Sequence, residues 1–414
     1  MSSPTARLIA PDELADWYEV PRVAMHGPPI TAEQVESVRP YIHPERCIAA
    51  FDGASSKPCG SAGSFPSELT VPGGKVATGA VTAVGVLPTH RRQGHLRRMM
   101  EAQLADIVER GEPTAILVAA EYPIYGRFGY GPATQACAVR IDASNPAALW
   151  RDEPTGSAEL LDNETFTKVL IELYERVRHD VVGHMSYEDA RWKVQTGEIA
   201  WPGDTDDARK KAVKVAWRDR DGVVQAAISY SVKDHWVDNR PRGELNEKML
   251  VSATPEAERE LLRFLTEVDW VTTVQLGTRP VDEPISLWVR DGRAVVTYDQ
   301  SDHVWARLLD VPAALTARRY ATEGRVVFEV DDPMGYGSGR FALEGGPAGA
   351  TCTPTSESAD LAVSVSSLGA AYLGGFTWAR LADGGFADEL RPGAVEQASA
   401  MFAVPRAPWC AMTF

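Results

Sequence analysis

Val81-Thr82-Ala83-Val84-Gly85-Val86-Leu87-Pro88-Thr89-His90-Arg91-Arg92-Gln93-Gly94-His95-Leu96-Arg97 is the stretch whose reading decides the fold. Val81 to Val86 is apolar and is stopped by Pro88, so it reads as a strand. After Gly94 apolar side chains recur at Leu96, Met100, Leu104 and Ile107, near the helical period. Arg97, Arg98, Glu101, Asp106 and Glu109 fill the other faces until Gly111 ends the run. Ala115-Ile116-Leu117-Val118-Ala119-Ala120 then reads as a second, buried strand. Strand, helix and strand in that order make a βαβ unit, whose ligand sits at the carboxyl ends of the strands. The connecting turn is basic and carries a glycine. A helix start offers unpaired N–H groups and the positive end of the dipole, Gly94 removes a Cβ from the close approach, and Arg91, Arg92 and Arg97 add guanidinium charge. Such a turn suits a pyrophosphate.

No Gly-Lys-Ser or Gly-Lys-Thr follows the glycine, and a G-x-G-x-x-G fingerprint is absent, so neither a Walker loop nor a dinucleotide fold is indicated. An Arg-rich helix start alone also reads as a solvated surface turn. The second motif, Ile124-Tyr125-Gly126-Arg127-Phe128-Gly129-Tyr130, decides between the two by placing a phenol just after the next strand. Together the motifs resemble the acyl-coenzyme A motif and general-acid tyrosine of the GNAT superfamily of N-acetyltransferases. The resemblance implies acetyl-CoA as cosubstrate, with Val84, Gly85, Val86, Arg91, Arg92, Gln93, Gly94, His95, Leu96, Arg97, Ala120 and Glu121 as its binding residues. Leu96 departs from the Gly or Ala that many members carry there. Acetyl transfer from a thioester to an amine needs a neutral amine, a stabilised oxyanion and a proton for the departing thiolate. A phenol of pKa about 10 stays protonated at neutral pH and can serve a thiolate whose acid has a pKa of about 8.5. Tyr125 is the candidate; its bland reading is one more aromatic in a cluster with Tyr122, Phe128 and Tyr130.

Composition bounds the rest. A chain of 414 residues exceeds one ordinary core and suggests two or three domains. With 44% hydrophobic and 24% charged residues the profile is globular, and neither a secretory leader at Met1 to Pro4 nor a membrane-spanning run is read, so a cytoplasmic location is expected. The five cysteines are odd in number and scattered, which fits reduced thiols; no metal-ligand spacing appears, and His90 and His95 fit an exposed or supporting place better than ligation. A formal charge of -15 argues against nucleic acid and admits a cationic substrate.

Along the chain, Arg7 to Ala10 reads as a first strand, Pro11 starts a helix, and Cys47 to Phe51 is a further strand, so residues 1–145 hold a complete acetyl-CoA-binding unit. Asn145-Pro146 is a turn-type boundary. In 146–295 the pattern partly repeats: Val223 to Tyr230 as strand, Glu256 to Val268 as helix capped by Ser252 to Pro255, Trp270 to Leu276 as strand. It has no Arg-x-x-Gly turn, so it reads as a degenerate GNAT-like domain or an unrelated α/β unit. In 296–414, Asp310 to Leu315 starts a helix, Arg325 to Val330 and Gly339 to Leu343 form a hairpin, and Leu361 to Val365 with Leu368 to Gly375 adds a strand and short helix. The expected class is α/β followed by α+β.

The whole chain resembles the Eis (enhanced intracellular survival) family. Pro88 to Gly94, Ile124 to Thr134, Asp310 to Leu315, Cys352 to Thr355 and Leu368 to Gly374 carry the likeness. It implies an N-terminal GNAT domain, a degenerate GNAT-like middle domain, a sterol-carrier-like C-terminal domain and a homohexamer. It also implies amine acceptors among polycationic small molecules, including aminoglycosides, or lysine side chains. The family's base is the carboxylate of the last residue, here Phe414, an α-carboxyl of ordinary pKa near 3.5, roughly. From the residues alone, Pro405 to Phe414 is too apolar for solvent, so a buried tail is expected, although chain ends usually fray. Better-known members supply acidic and aromatic residues from two segments that here read Val23 to Ile30 and Thr82 to Val84, with no carboxylate and no Phe, Tyr or Trp. The competing class is a lipid- or partner-binding assembly with acetyl-CoA as a structural ligand.

Overall fold

The computed structural model describes residues 4–37, 39–53, 55–151, 155–200 and 208–414, so the leader reading at Met1 to Ser3 lies outside the described residues. From the N-terminus, β1 (Thr5–Leu8), β2 (Ile48–Phe51), β3 (Pro58–Val71), β4 (Gly74–Val86), β5 (Thr114–Val118) and β6 (Gly131–Pro132) enter a first sheet. β1 to β4 pair antiparallel in sequence order, and β4 and β5 are parallel across the helix His95–Glu109. This is the expected βαβ unit. Met99, Met100, Leu104 and Ile107 make the helix's buried face.

A second sheet takes β7 (Gln135–Asp142), β8 (Ser157–Leu160), β9 (Val213–Arg218) and β10 (Val224–Lys233). After a ribbon of β11 (Trp236–Val237) and β12 (Arg240–Pro241), it adds β13 (Gly243–Ser252), β14 (Val271–Arg279) and β15 (Val295–Asp302). β16 (Val304–Leu308) then returns to the first sheet, giving the orders β1-β2-β3-β4-β5-β16-β6 and β15-β7-β14-β13-β10-β9-β8. Sheet membership therefore crosses the positions 145 and 295. β7 lies between β14 and β15 because Val139 and Ile141 are buried in the middle core, and β16 caps β5 through five paired residues.

The strand feeding the second helix, Pro255–Thr266, is β13 rather than the Val223 to Tyr230 segment read from sequence. β13 interrupts its apolar positions with Glu244, Asn246, Glu247 and Lys248, which hides it from a hydrophobicity reading, but it is β13 that pairs parallel with β14 while β10 lies antiparallel on its other side. Thr254 caps the helix by accepting from Ala257 N at 3.1 Å, as its position suggested.

The C-terminal part is a five-stranded sheet of β17 (Gly324–Asp331), β18 (Gly339–Gly346), β19 (Gly349–Pro354), β20 (Leu361–Ser364) and β21 (Ala387–Glu389), ordered β19-β18-β17-β20-β21. Asp310 caps the helix Val311–Thr316, accepting from Ala313 N at 2.9 Å, and Ser364 caps Val365–Tyr372, accepting from Ser367 N at 3.0 Å. That second helix locks this part onto the first sheet. A Cβ at Gly131 would come 1.9 Å from the Ser366 carbonyl oxygen, and one at Gly369 would come 2.3 Å from that of Ala306. Beside this seam Arg307 on β16 and Asp332 form a fully buried ion pair at 2.6 Å. The first and C-terminal parts therefore share one core, with Phe65, Ala306, Val365 and Leu368 in a single apolar cluster.

Candidate active site

β4 and β5 hold together only at the start. Their pairing runs Thr78–Ala80 against Thr114–Ile116 and stops there, although β4 continues to Val86 and β5 to Val118. The cause is a bulge in β4. Ser61 pairs with Gly85 and Gly63 with Thr82, so Ala83 and Val84 oppose one residue of β3, and Ala83 takes φ 54°. Its carbonyl accepts from Ser61 Oγ at 2.8 Å, which fixes the kink. The two strands splay beyond it, and the β4 edge at Val84 to Val86 is left for an extended ligand with amides of its own.

The basic turn stands at the open end. Arg92 and Gly94 take φ 64° and 83°, and Arg98 N–H bonds back to Gly94 at 3.2 Å, so His95, Leu96 and Arg97 present the N–H groups that a helix start leaves unpaired. Successive N–H groups through left-handed positions form an anion-binding concavity. Arg91, Arg92, Gln93, Gly94 and Arg97 are exposed there. The His95 ring turns inward, 1% exposed and 3.7 Å from Cys59 Sγ, and burial lowers its pKa; Leu96 packs into the core on both sides of the helix. His95, with its ring buried, can serve a ligand through main chain alone. Gly85 has a packing reason, since a Cβ there would lie 3.0 Å from Ala24 Cβ.

Ahead of the splay lies a cleft of about 740 Å³ bordered by Val84, Val118, Ala119, Ala120, Tyr125, Thr413 and Phe414. Tyr125 ends the short helix Tyr122–Tyr125, whose N-cap is the exposed Glu121. Burial first, and the nearby Glu121 carboxylate second, push the Tyr125 phenol up to about 12, so it keeps its proton across the physiological range. The Tyr125 ring stands edge-on to Tyr130 at 6.1 Å. His26, at a left-handed φ of 60°, is exposed at the end of the first helix.

The tail reaches this cleft by a fixed route. Arg406 pairs with Asp282 at 2.9 Å, Trp409 N–H donates to Val182 O at 3.0 Å, Cys410 and Met412 are buried, and Gln195 Nε2 donates to Thr413 O at 3.2 Å. The Phe414 ring then meets Phe65 of β3 edge-to-face at 5.8 Å. The last residue is thus anchored, and Tyr125 and Phe414, 289 positions apart by their numbers, border one cavity.

Sequence reasoning missed the remaining walls. Trp17, Tyr18, Tyr41 and Arg191 line the cleft from three separate segments. Trp17 Nε1 donates to Ile48 O at 2.8 Å, and its ring rests where Gly63 has no Cβ. No spacing rule links these positions. The Val23 to Ile30 and Thr82 to Val84 segments do border the cleft, but its aromatic character comes from elsewhere.

Comparisons with known proteins identify the domains that carry this cleft. An acetyltransferase (GNAT) domain model matches residues 5–133, a second acetyltransferase (GNAT) model matches 183–308, and a sterol carrier protein domain model matches 311–411. An uncharacterized N-acetyltransferase of Streptomyces griseus is 36% identical over 424 residues, 99% of each chain. N-acetyltransferase Eis of Mycobacterium tuberculosis is 33% identical over 357 residues, 83% of each. Among solved structures, Eis1 from Mycobacterium abscessus superposes with a TM-score of 0.86 at 33% identity, covering 99% of this chain and 100% of that one. With the splayed strands, the N–H cradle and the two matched GNAT units in place, this chain belongs to the Eis family of GNAT N-acetyltransferases.

Proposed function

We propose that the protein transfers an acetyl group from acetyl-CoA to a primary amine, with Tyr125 as general acid and the Phe414 α-carboxylate as base. The observation that carries the reading is that one cleft, opening where β4 and β5 part, borders both a buried protonated phenol and the anchored chain end. Acetyl-CoA supplies the activated acyl group. The β4 edge at Val84 and Val86 would hold its extended amide portion, and the N–H groups from Gln93 to Arg97 with the Arg91, Arg92 and Arg97 side chains would hold its pyrophosphate. Ala120 and Glu121 flank the site of reaction. The Phe414 carboxylate accepts the proton that the amine must lose to become a nucleophile. The Tyr125 hydroxyl gives its proton to the sulfur as the C–S bond breaks; a phenol this weakly acidic follows the developing charge instead of anticipating it. The homohexamer is carried over from the family as part of the same proposal.

Amine-dependent release of free CoA from acetyl-CoA, read against amine-free hydrolysis, tests the reaction. Transfer is expected with at least one primary amine. Tight acetyl-CoA binding with no amine-dependent release from any member of a broad panel would leave a binding protein and overturn the reading.

A further inference from the structure

The cleft has a charge pattern that the transfer reaction alone does not use. Among the described lining residues there is no Asp or Glu, whereas Arg22, His43, Arg191 and Arg209 are present. Arg22 is already paired with Glu19, and His43 Nε2 lies 2.9 Å from Glu188. Arg191 is different. It projects from the helix Asp189–Gln195, is 3% exposed, and among the described residues no carboxylate lies within ion-pair distance of it. Its guanidinium is wedged 3.1 Å from the Phe65 ring centroid and 4.1 Å from that of Tyr41. Nε has no hydrogen-bond partner, and Nη2 makes one long contact, 3.4 Å, to the Tyr41 carbonyl.

Two aromatic faces attract a guanidinium through their quadrupoles, but they do not use its N–H donors. Burying a cation whose donors are unmet is costly, and a carboxylate arriving in the cleft would relieve that cost with a charge-assisted hydrogen bond. Burial drags the Arg191 pKa down, and the opposing pull of Tyr41, Tyr187 and the Glu188 carboxylate does not offset it. The buried Phe65 ring carries Arg191 on it and meets the Phe414 ring at 5.8 Å, so the fixed cation and the last residue of the chain pack on the same aromatic side chain. Trp17, Tyr18 and Tyr41 add aromatic lining to the same cleft.

Resting on the acetyl-transfer reading above, we propose that the acceptor is an amine whose far end bears a carboxylate, an amino-acid-like zwitterion with an aromatic or aliphatic body, recognised by Arg191. Its ammonium end faces the Phe414 carboxylate and Tyr125, and its carboxylate takes the unmet donors of Arg191. A polycation would place positive charge against that guanidinium.

Three amines that share a benzylamine and differ only at the para position test this: 4-(aminomethyl)benzoate, 4-methylbenzylamine and 4-(aminomethyl)benzylamine, with spermidine and kanamycin as polycations. A hydrogen bond to a charged group contributes enough to predict kcat/KM for the benzoate about 10-fold or more above the methyl compound. The diamine is expected lowest of the three. Arg191→Met should erase the preference by raising KM for the benzoate far more than for the methyl compound, whatever loss the two share, and Arg191→Lys should restore part of it. Calorimetric acetyl-CoA affinity reports whether each variant has kept its fold, and the wild-type series stands without the variants. Preference for the diamine, spermidine or kanamycin over the benzoate, or an equal loss for all three benzylamines in a folded Arg191→Met, would overturn this inference alone. Acetyl-CoA binding with no transfer to any amine would overturn the acetyl-transfer reading itself.

Discussion

Appending a single alanine after Phe414 should abolish most turnover without unfolding the protein. Trp409 is tied to Val182, Thr413 to Gln195 and the Phe414 ring to Phe65, so an added residue cannot be absorbed by sliding the tail backwards without breaking these contacts. The new α-carboxylate then lies beyond the old one by the reach of one residue, about 3.3–3.6 Å. A misplacement of about 1 Å can cost on the order of 100-fold in rate, so a loss of at least that size in kcat is expected. Acetyl-CoA affinity should hold, because the cradle at Arg91 to Arg97 is built by the first sheet and its helix. The assay is CoA release on one amine at several pH values, with calorimetric acetyl-CoA binding as the control for fold. A semisynthetic protein ending in Phe414 carboxamide refines the test by removing the charge and adding no bulk. Equal turnover for the native, alanine-extended and carboxamide forms would refute the reasoning and exclude the chain end as base.

Tyr125→Phe should cut kcat by about 100-fold to 10,000-fold with acetyl-CoA affinity nearly intact. Because the acid form is the active one and its pKa lies near 12, the wild type should show no alkaline loss attributable to this group below about pH 10 on the scale of that pKa, and a limb near neutrality would assign the donor elsewhere. Gly94→Glu should weaken acetyl-CoA binding severely, since it adds an anion to the cradle and a side chain at φ 83°; calorimetry with undiminished affinity would remove the cradle. Asp332→Ala leaves Arg307 charged and buried, so chemical denaturation should report a loss of about 3–5 kcal/mol, with an unchanged midpoint as the contrary result. Light scattering should give six times the 45.0 kDa chain mass, and a monomer at micromolar concentration would contradict the assembly.

The N-terminal βαβ unit was legible because its signals are local. A strand ended by Pro88, a glycine at a left-handed position and a 3.6-residue apolar period each act over a few residues, and they yield the βαβ unit, the helix His95–Glu109 and the place of Tyr125. The caps at Thr254 and Asp310 are legible for the same reason, since a cap is a contact between residues three apart, whereas Ser364 reads as strand and in fact caps a helix that starts at Val365. β13 was not legible, because a strand whose apolar positions are interrupted by Glu244, Asn246, Glu247 and Lys248 resembles a loop to any count of apolar residues.

Sequence by itself determined the family, the N-terminal βαβ unit with its basic, glycine-containing turn, and the phenol after the next strand. Tertiary structure alone decided that β7 and β16 trade sheets, that the His95 ring turns inward while its N–H faces out, and that the chain end enters the cleft bordered by Tyr125. It also decided which aromatics wall that cleft and left Arg191 buried there with donors to spare. The physical reason is range: caps, turns and periodicity are written in neighbouring residues, whereas a cleft is written by distant segments whose meeting is fixed by shared burial, as Phe65, Arg191 and Phe414 are fixed around one ring.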